Sequence, residues 1–317
     1  MQVDNLYPIF DIGYLTMKTH SNSLTLISFS LFSFVVDFLQ LTKLRLAMSV
    51  VFSSVAGYLI AVDQIEVSIL VGLFFGGFAM VGASNAFNQW IEKDKDALMD
   101  RTRSRPLPTG RMSNFTAILI ASLLTLLGIF ILNNINFKTA LFGALSILIY
   151  TCVYTPLKSV TPLSVFVGAF PGAIPFMLGW VAATGSFGIE PGVLFMVQFF
   201  WQFPHFWAIG WMMDDDYKKA GFKMLPTGNP DRATAFQIVF YTFWTIIISI
   251  SPFTHYTGAL TLSIGAVVAL VLIGAYFLYH AIKLMQKKSK KAAKKLMYTS
   301  IAYISFLQII YVLDKWI

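Results

Sequence analysis

The sequence predicts an all-α integral membrane protein of about nine transmembrane helices with a cytoplasmic N-terminus. Three observations carry that prediction. Of 317 residues, 57% are hydrophobic and only 12% charged, with a mean hydropathy of +0.70, whereas a soluble globular chain carries about 25% charged residues. Apolar runs of spanning length, 18 residues or more, fall near 41–62, 66–90, 114–133, 138–155, 161–182, 190–211, 234–254, 258–283 and 296–313. Finally, 18 of the 23 lysines and arginines fall in the loops after the even-numbered spans, and only Lys138 in the loops after the odd ones. Cytoplasmic loops collect Lys and Arg, so the even-numbered loops and the N-terminus are expected on the cytoplasmic side. The net charge of +8 is then mostly topology, and no nucleic-acid partner is expected.

Residues 1–40 form an N-terminal extension ahead of a single membrane domain, 41–317. Its stretch Leu24 to Gln40 is apolar but short and interrupted by Asp37, the pattern of a helix lying in the membrane interface before the first span. With Asp4 and Asp11 near its start and no arginine before Arg45, the N-terminus is unlike an organelle transit peptide, and a bacterial inner membrane is the expected location.

Span two runs into NAFNQWIEKDKDALMDRTRSRPLPTGR, Asn85 to Arg111. A four-residue pitch stacks Asn88, Glu92, Asp96 and Asp100, and steps of i to i+4 stay on one helix face. Arg101, Arg103, Arg105 and Arg111 follow. Hard oxygens suit Mg2+, and guanidinium forks suit phosphate. Together they suggest a site for a metal-bound diphosphate; a solvated, mixed-charge helix end is the alternative.

Span four carries Cys152, the single cysteine, which excludes an intrachain disulfide. It ends in VYTPLKSVTPLS, placing Tyr154 and Lys158 on the same side as the acidic stretch. Lys158 suits a phosphate contact, or simply snorkels. In span five, GAFPGAIPFMLGW brings small residues and prolines that predict close packing or a kink. Span six ends in WQFPHFWAIGWMMDDDYKKAGFKMLP. Here His205 lies within the apolar run, a costly place unless it finds a partner or faces a polar cavity. A haem ligand, a proton carrier and a satisfied interior histidine all fit it. Asp214, Asp215 and Asp216 then repeat the order of acids followed by bases, so two acidic clusters are expected to converge over one mouth. Before the last span, KKSKKAAKK is expected to anchor the chain at anionic headgroups of the lipid bilayer.

NQWIEKDKDALMDRTRSRPLPTG and WQFPHFWAIGWMMDDDYKKAGFKMLP, with the TKLR opening, the YTPLK turn and the GAIP helix, resemble the protohaem IX farnesyltransferases (haem O synthases). These are a branch of the UbiA-type intramembrane prenyltransferases. The resemblance runs from about Leu41 to the C-terminus. It implies nine helices around a central cavity, with Mg2+ as cofactor and haem B and farnesyl diphosphate as substrates. It also implies a mouth facing the cytoplasm, and a downstream haem A synthase that takes the product toward haem-copper oxidases. Carried over, Asn88, Glu92 and Asp96 hold one magnesium–diphosphate group, and Asp215 and Asp216 supply the second acidic site. Arg101, Arg105, Lys158 and Arg45 grip diphosphate oxygens, with Tyr154 beside them, and His205 handles the porphyrin. Glu92 stands where the superfamily usually has Asp, and contiguous acids replace its second Asp-x3-Asp. Two other readings remain: a prenyltransferase for an aromatic or quinone precursor, against which PHFW stands, and a transporter. Transporter acids usually sit at broken helices near the midplane, not at helix ends beside arginines.

Overall fold

The computed structural model describes residues 23–317, with side chains from residue 31 onward; the rest of the N-terminal extension lies outside the described residues. It contains ten long helices: α1 (Ser23–Thr42), α2 (Leu44–Ala61), α3 (Val67–Ile91), α4 (Asn114–Ile135), α5 (Phe137–Leu157), α6 (Ser164–Thr184), α7 (Ile189–Met212), α8 (Arg232–Ile250), α9 (Ile264–Lys287) and α10 (Lys290–Trp316). Among the described residues, eight of them, α2 to α6 and α8 to α10, are long and apolar enough to cross a membrane. The α7 helix matches them with 24 residues but carries Gln198, Gln202 and His205. The chain is a multi-pass membrane protein, and every regular element among the described residues is helical.

Local chemistry sets the boundaries. Ser113, Asn136, Asp231, Ser263 and Ser289 each accept a bond from a backbone N–H three residues on, capping α4, α5, α8, α9 and α10. Gly185, at φ 65°, closes α6 in the left-handed conformation. The Ser289 cap comes inside KKSKKAAKK, so the last helix starts six residues earlier than its apolar run, at Lys290. The ninth helix begins later than its pattern, at Ile264, because Ser251–Thr254 forms a 3-10 turn and an irregular segment follows.

α6 and α7 are central. α6 packs against α2, α5 and α7, and α7 packs also against α8 and α10. The small residues of α6 do pack closely. A Cβ at Gly179 would lie 1.9 Å from Ser54 O and 2.4 Å from Tyr58 N of α2; one at Gly57 would lie 2.0 Å from Phe176 O. This is backbone-to-backbone approach, which only glycine allows and which drives helix association where lipid offers no hydrophobic contrast. Large apolar side chains such as Leu126, Phe130 and Leu272, each exposed by about two thirds, cover the outside.

α1 occupies the stretch read as an interfacial helix. The acid that interrupts it is paired: Arg111 Nε lies 3.0 Å from Asp37 Oδ1. The same guanidinium donates to Gln40 Oε1 (3.0 Å) and Ser104 O (3.1 Å), tying α1 to the loop after α3.

Candidate active site

α3 ends at Ile91, and after Glu92 a short turn, Lys93–Asp96, carries the ladder onward. Asn88, Glu92 and Asp96 are buried, at 2%, 5% and 1% exposure. Asp100 leaves the ladder: its side chain is 59% exposed and pairs with Arg103 and Lys219.

Each buried acid has a cation. Lys158 Nζ lies 2.5 Å from Glu92 Oε1, and Arg105 Nη1 lies 2.7 Å from Asp96 Oδ2. The Lys158 ammonium also stands 4.8 Å from the centre of the Tyr154 ring and 5.3 Å from that of Phe222. Charges withdrawn from water need such partners.

The orientation of Asn88 is built from α5. Its last turns, Ile149–Tyr154, are π-helical, and the widened ladder lets Thr155 Oγ1 donate to Tyr150 O at 2.8 Å. With its hydrogen committed there, the Thr155 hydroxyl accepts from Asn88 Nδ2 at 3.1 Å. The amide is thereby fixed with nitrogen toward Thr155, leaving its carbonyl oxygen for a cation or water.

The residues present fit a divalent metal. Asp96 Oδ1 is buried with no hydrogen-bond partner among the described residues. With the Asn88 oxygen and the Glu92 carboxylate it makes a set of hard oxygens of the kind Mg2+ takes.

The second acidic cluster reaches the first loop through Asp216. Asp216 accepts from the backbone N–H groups of Asp100 (3.4 Å) and Arg101 (3.3 Å), and from Lys219 Nζ (3.1 Å). It works as a strut between the loops. Asp214 pairs with Lys218 at 2.7 Å. The Asp215 side chain is 74% exposed and pairs with Lys290 at the start of α10. Successive helical residues point about 100° apart, and here Asp216 faces the loop after α3 while Asp215 faces Lys290. Among the described residues no three Asp, Glu, His or Cys side chains converge.

Arg101 follows in the loop braced by Asp216, and no carboxylate pairs with its guanidinium among the described residues. Arg45 is exposed on the first turn of α2. The sequence reading passed over Lys43, two residues earlier in TKLR. Burial, and the charges of Arg105, Lys158 and Arg101, hold its amine well below the usual lysine range, while Asp96 acts in the opposite direction. Thr155, which orients Asn88, was missed too, because a mid-helix threonine carries no signal of its own.

His205 sits apart from these groups, on α7. Its ring stacks on Trp201 (centroids 4.7 Å apart), and Nδ1 lies 2.8 Å from Ser300 Oγ of α10. The Ser300 hydroxyl already donates to Met297 O at 2.6 Å. It must accept from His205, so Nδ1 carries the proton and Nε2 keeps a lone pair.

Residues 50–307 match the UbiA prenyltransferase family. The chain belongs to that family. It is 61% identical over 285 residues to "Protoheme IX farnesyltransferase" of Christiangramia forsetii, covering 90% of this chain and 95% of that protein. The counterpart in Flavobacterium johnsoniae is 58% identical over 291 residues, 91% of this chain and 97% of its own. The fold also matches solved structures at low identity. The structure described for digeranylgeranylglyceryl phosphate synthase superposes with a TM-score of 0.73 at 19% identity, covering 89% of this chain and 98% of its own. A UbiA homologue from Archaeoglobus fulgidus, bound to DMAPP and Mg2+, superposes with a TM-score of 0.62 at 17% identity, covering 85% and 99%. As a UbiA member this chain is a prenyltransferase, and its ion-paired acids lie on the segments from which the family was expected to build its site.

Proposed function

We propose that this enzyme transfers the farnesyl group of farnesyl diphosphate to a vinyl group of haem B, with addition of water, giving haem O and diphosphate. The observation that carries the reading is the pair of buried ion pairs, Glu92–Lys158 and Asp96–Arg105, at one end of a membrane helix. A Mg2+-bound diphosphate offers each charge a new partner: the carboxylates turn to the metal, and Lys158 and Arg105 to phosphate oxygens. Similarity to the relatives named protoheme IX farnesyltransferase supports haem as acceptor.

Mg2+, when bound, supplies charge stabilisation to the departing diphosphate. Asn88, Glu92 and Asp96 would hold it, and Arg101, Arg105 and Lys158 would hold the diphosphate oxygens. The C1–O bond of farnesyl diphosphate breaks with its electron pair leaving on diphosphate. The ring of Tyr154 lies 4.8 Å from the Lys158 ammonium, and an aromatic face of this kind stabilises positive charge. The terminal vinyl carbon of haem then bonds to farnesyl C1. Water adds to the inner vinyl carbon and releases a proton. His205 offers its Nε2 lone pair to the haem iron, held in that tautomer by Ser300. The lysine and arginine asymmetry supports a mouth on the cytoplasmic side of a bacterial inner membrane, with a haem A synthase as consumer of the product.

Membranes containing the protein are supplied with haem B, farnesyl diphosphate and Mg2+, and the product is weighed by mass spectrometry. The expected product is haem plus one farnesyl group plus one water, formed only with Mg2+. Prenylation of an aromatic quinone precursor with haem left unchanged would overturn the acceptor assignment.

A further inference from the structure

Away from the acidic site, the seam between α9 and α10 carries a groove of about 280 Å³. Leu272, Ile273, Ala302 and Phe306 line it, with Tyr276 and Thr299 at the end nearer the lysines. It opens on the outside of the bundle, where Leu272, Tyr276 and Phe306 are all exposed. In a spanning helix that surface meets acyl chains rather than water. α10 is the wall between the groove and His205: Thr299 lines the groove, and its neighbour Ser300 holds Nδ1 of His205.

His280 stands one turn beyond Tyr276 on α9. Its ring meets that of Tyr276 edge-on, with centroids 4.8 Å apart, and that of Tyr279 at 5.2 Å. Among the described residues no hydrogen bond reaches its nitrogens. A histidine in a spanning helix usually faces the bundle interior and finds a partner there. This one is half-buried between two exposed tyrosines on the outer face. Basic groups begin one turn further on. Lys283 Nζ lies 5.4 Å from the centre of the Tyr279 ring, Lys287 ends α9, and Lys295 lies one turn before Thr299 on α10. Among the described residues none of these three lysines pairs with a carboxylate.

An apolar groove, a ring nitrogen without a partner and lysines without carboxylates follow one another along the seam. Haem has the same order across its plane: a vinyl and methyl edge, an iron that takes imidazole, and a propionate edge. The spacing agrees. Four helical residues rise about 6 Å and seven about 10.5 Å, so a porphyrin with its iron at His280 lays its apolar edge beside Tyr276 and its carboxylates near Lys283 and Lys287. An anionic phospholipid would use the groove and the lysines but would give His280 no role. We propose that the α9–α10 groove is a docking site for haem B, with His280 as iron ligand and Lys283, Lys287 and Lys295 as partners of the propionates. Haem is collected there from the bilayer before it reaches His205 on the other side of α10. This rests on the reading of haem as the acceptor.

The test uses the full chain in phosphatidylcholine nanodiscs, titrated with ferric haem B and followed by Soret absorbance. The wild type should take two haems and His280→Ala one, with one histidine-ligated species gone from the electron paramagnetic resonance spectrum. Iron-free protoporphyrin IX should bind both proteins alike. Lys283→Gln combined with Lys287→Gln should weaken the second haem about two- to fivefold, the range of an exposed ion pair. Haem dimethyl ester, whose propionates carry no charge, should not distinguish that variant from the wild type. If His280→Ala does not fold, His280→Phe keeps a ring between the tyrosines and reads the same loss.

Equal haem stoichiometry in the wild type and the His280 variant overturns the proposal. So does phosphatidylglycerol that stays with the purified wild type and is lost from the lysine variant while haem binding is unchanged, which would make the groove a lipid site. If the wild type forms prenylated haem but binds a single haem that His280→Ala retains, the dock fails and the acceptor reading stands. If it neither binds nor prenylates haem, the acceptor reading fails, and the dock with it.

Discussion

Asp96 carries the strongest single expectation at the residue scale. One of its oxygens is held by Arg105 and the other is buried without a hydrogen-bond partner among the described residues. Asp96→Asn keeps the size and removes the charge. It should lower turnover by about a hundredfold or more, the range seen when one transition-state contact is lost. Insertion should hold, while the unfolding temperature falls because Arg105 loses its partner. Full activity of this variant at limiting Mg2+, measured by product mass, would contradict the metal assignment. His205 makes a separate prediction, because its partners are Ser300 and Trp201 rather than the acids. His205→Ala should raise the KM for haem severalfold and leave the KM for farnesyl diphosphate near its original value. An equal rise in both would make the histidine structural.

At the scale of elements, the α2–α6 crossing and the π turn of α5 do the positioning. The crossing brings Gly57 and Gly179 so close to facing backbone that a side chain has nowhere to go. Gly179→Val should prevent assembly of a folded protein, read as loss of a monodisperse peak in detergent and of all activity. Gly192, with nothing within 4 Å of a Cβ, is the control: Gly192→Ala should leave folding and activity intact. The sequence placed small residues in this helix but could not name their partners. The π turn was not legible at all. IYTCVY reads as ordinary apolar helix, and only the hydrogen bonds of Tyr150, Thr155 and Asn88 reveal the wider turn and its purpose.

The loops form one assembly at the scale of the whole molecule. Asp216 braces the loop after α3, the backbone N–H of Lys223 donates to Lys158 O at 2.7 Å, and Lys95 bonds Ser159. Loops from three separate helix ends therefore lie on one side of the membrane, as the charge asymmetry predicts. Cysteine labelling from either side tests which side that is. With the exposed Cys152 replaced by Ala, Arg103→Cys should react with a membrane-impermeant maleimide only when the reagent reaches the cytoplasm. Tyr256→Cys, in the loop after α8 and at a position 86% exposed, should react only from outside. The reverse pattern would invert the topology.

By itself the sequence determined the membrane class and the order of helices, and it proposed the kind of site. Apolar run length, lysine and arginine asymmetry, and a four-residue pitch of hard oxygens beside arginines are all local quantities. Only the tertiary structure decided which charges meet. It joined Glu92 to Lys158 across the gap between α3 and α5, and turned Asp215 outward to Lys290. The reason is physical: in a run of three aspartates the residue types are the same, and each one's direction is set by the helix phase and by the cation that the fold brings opposite it.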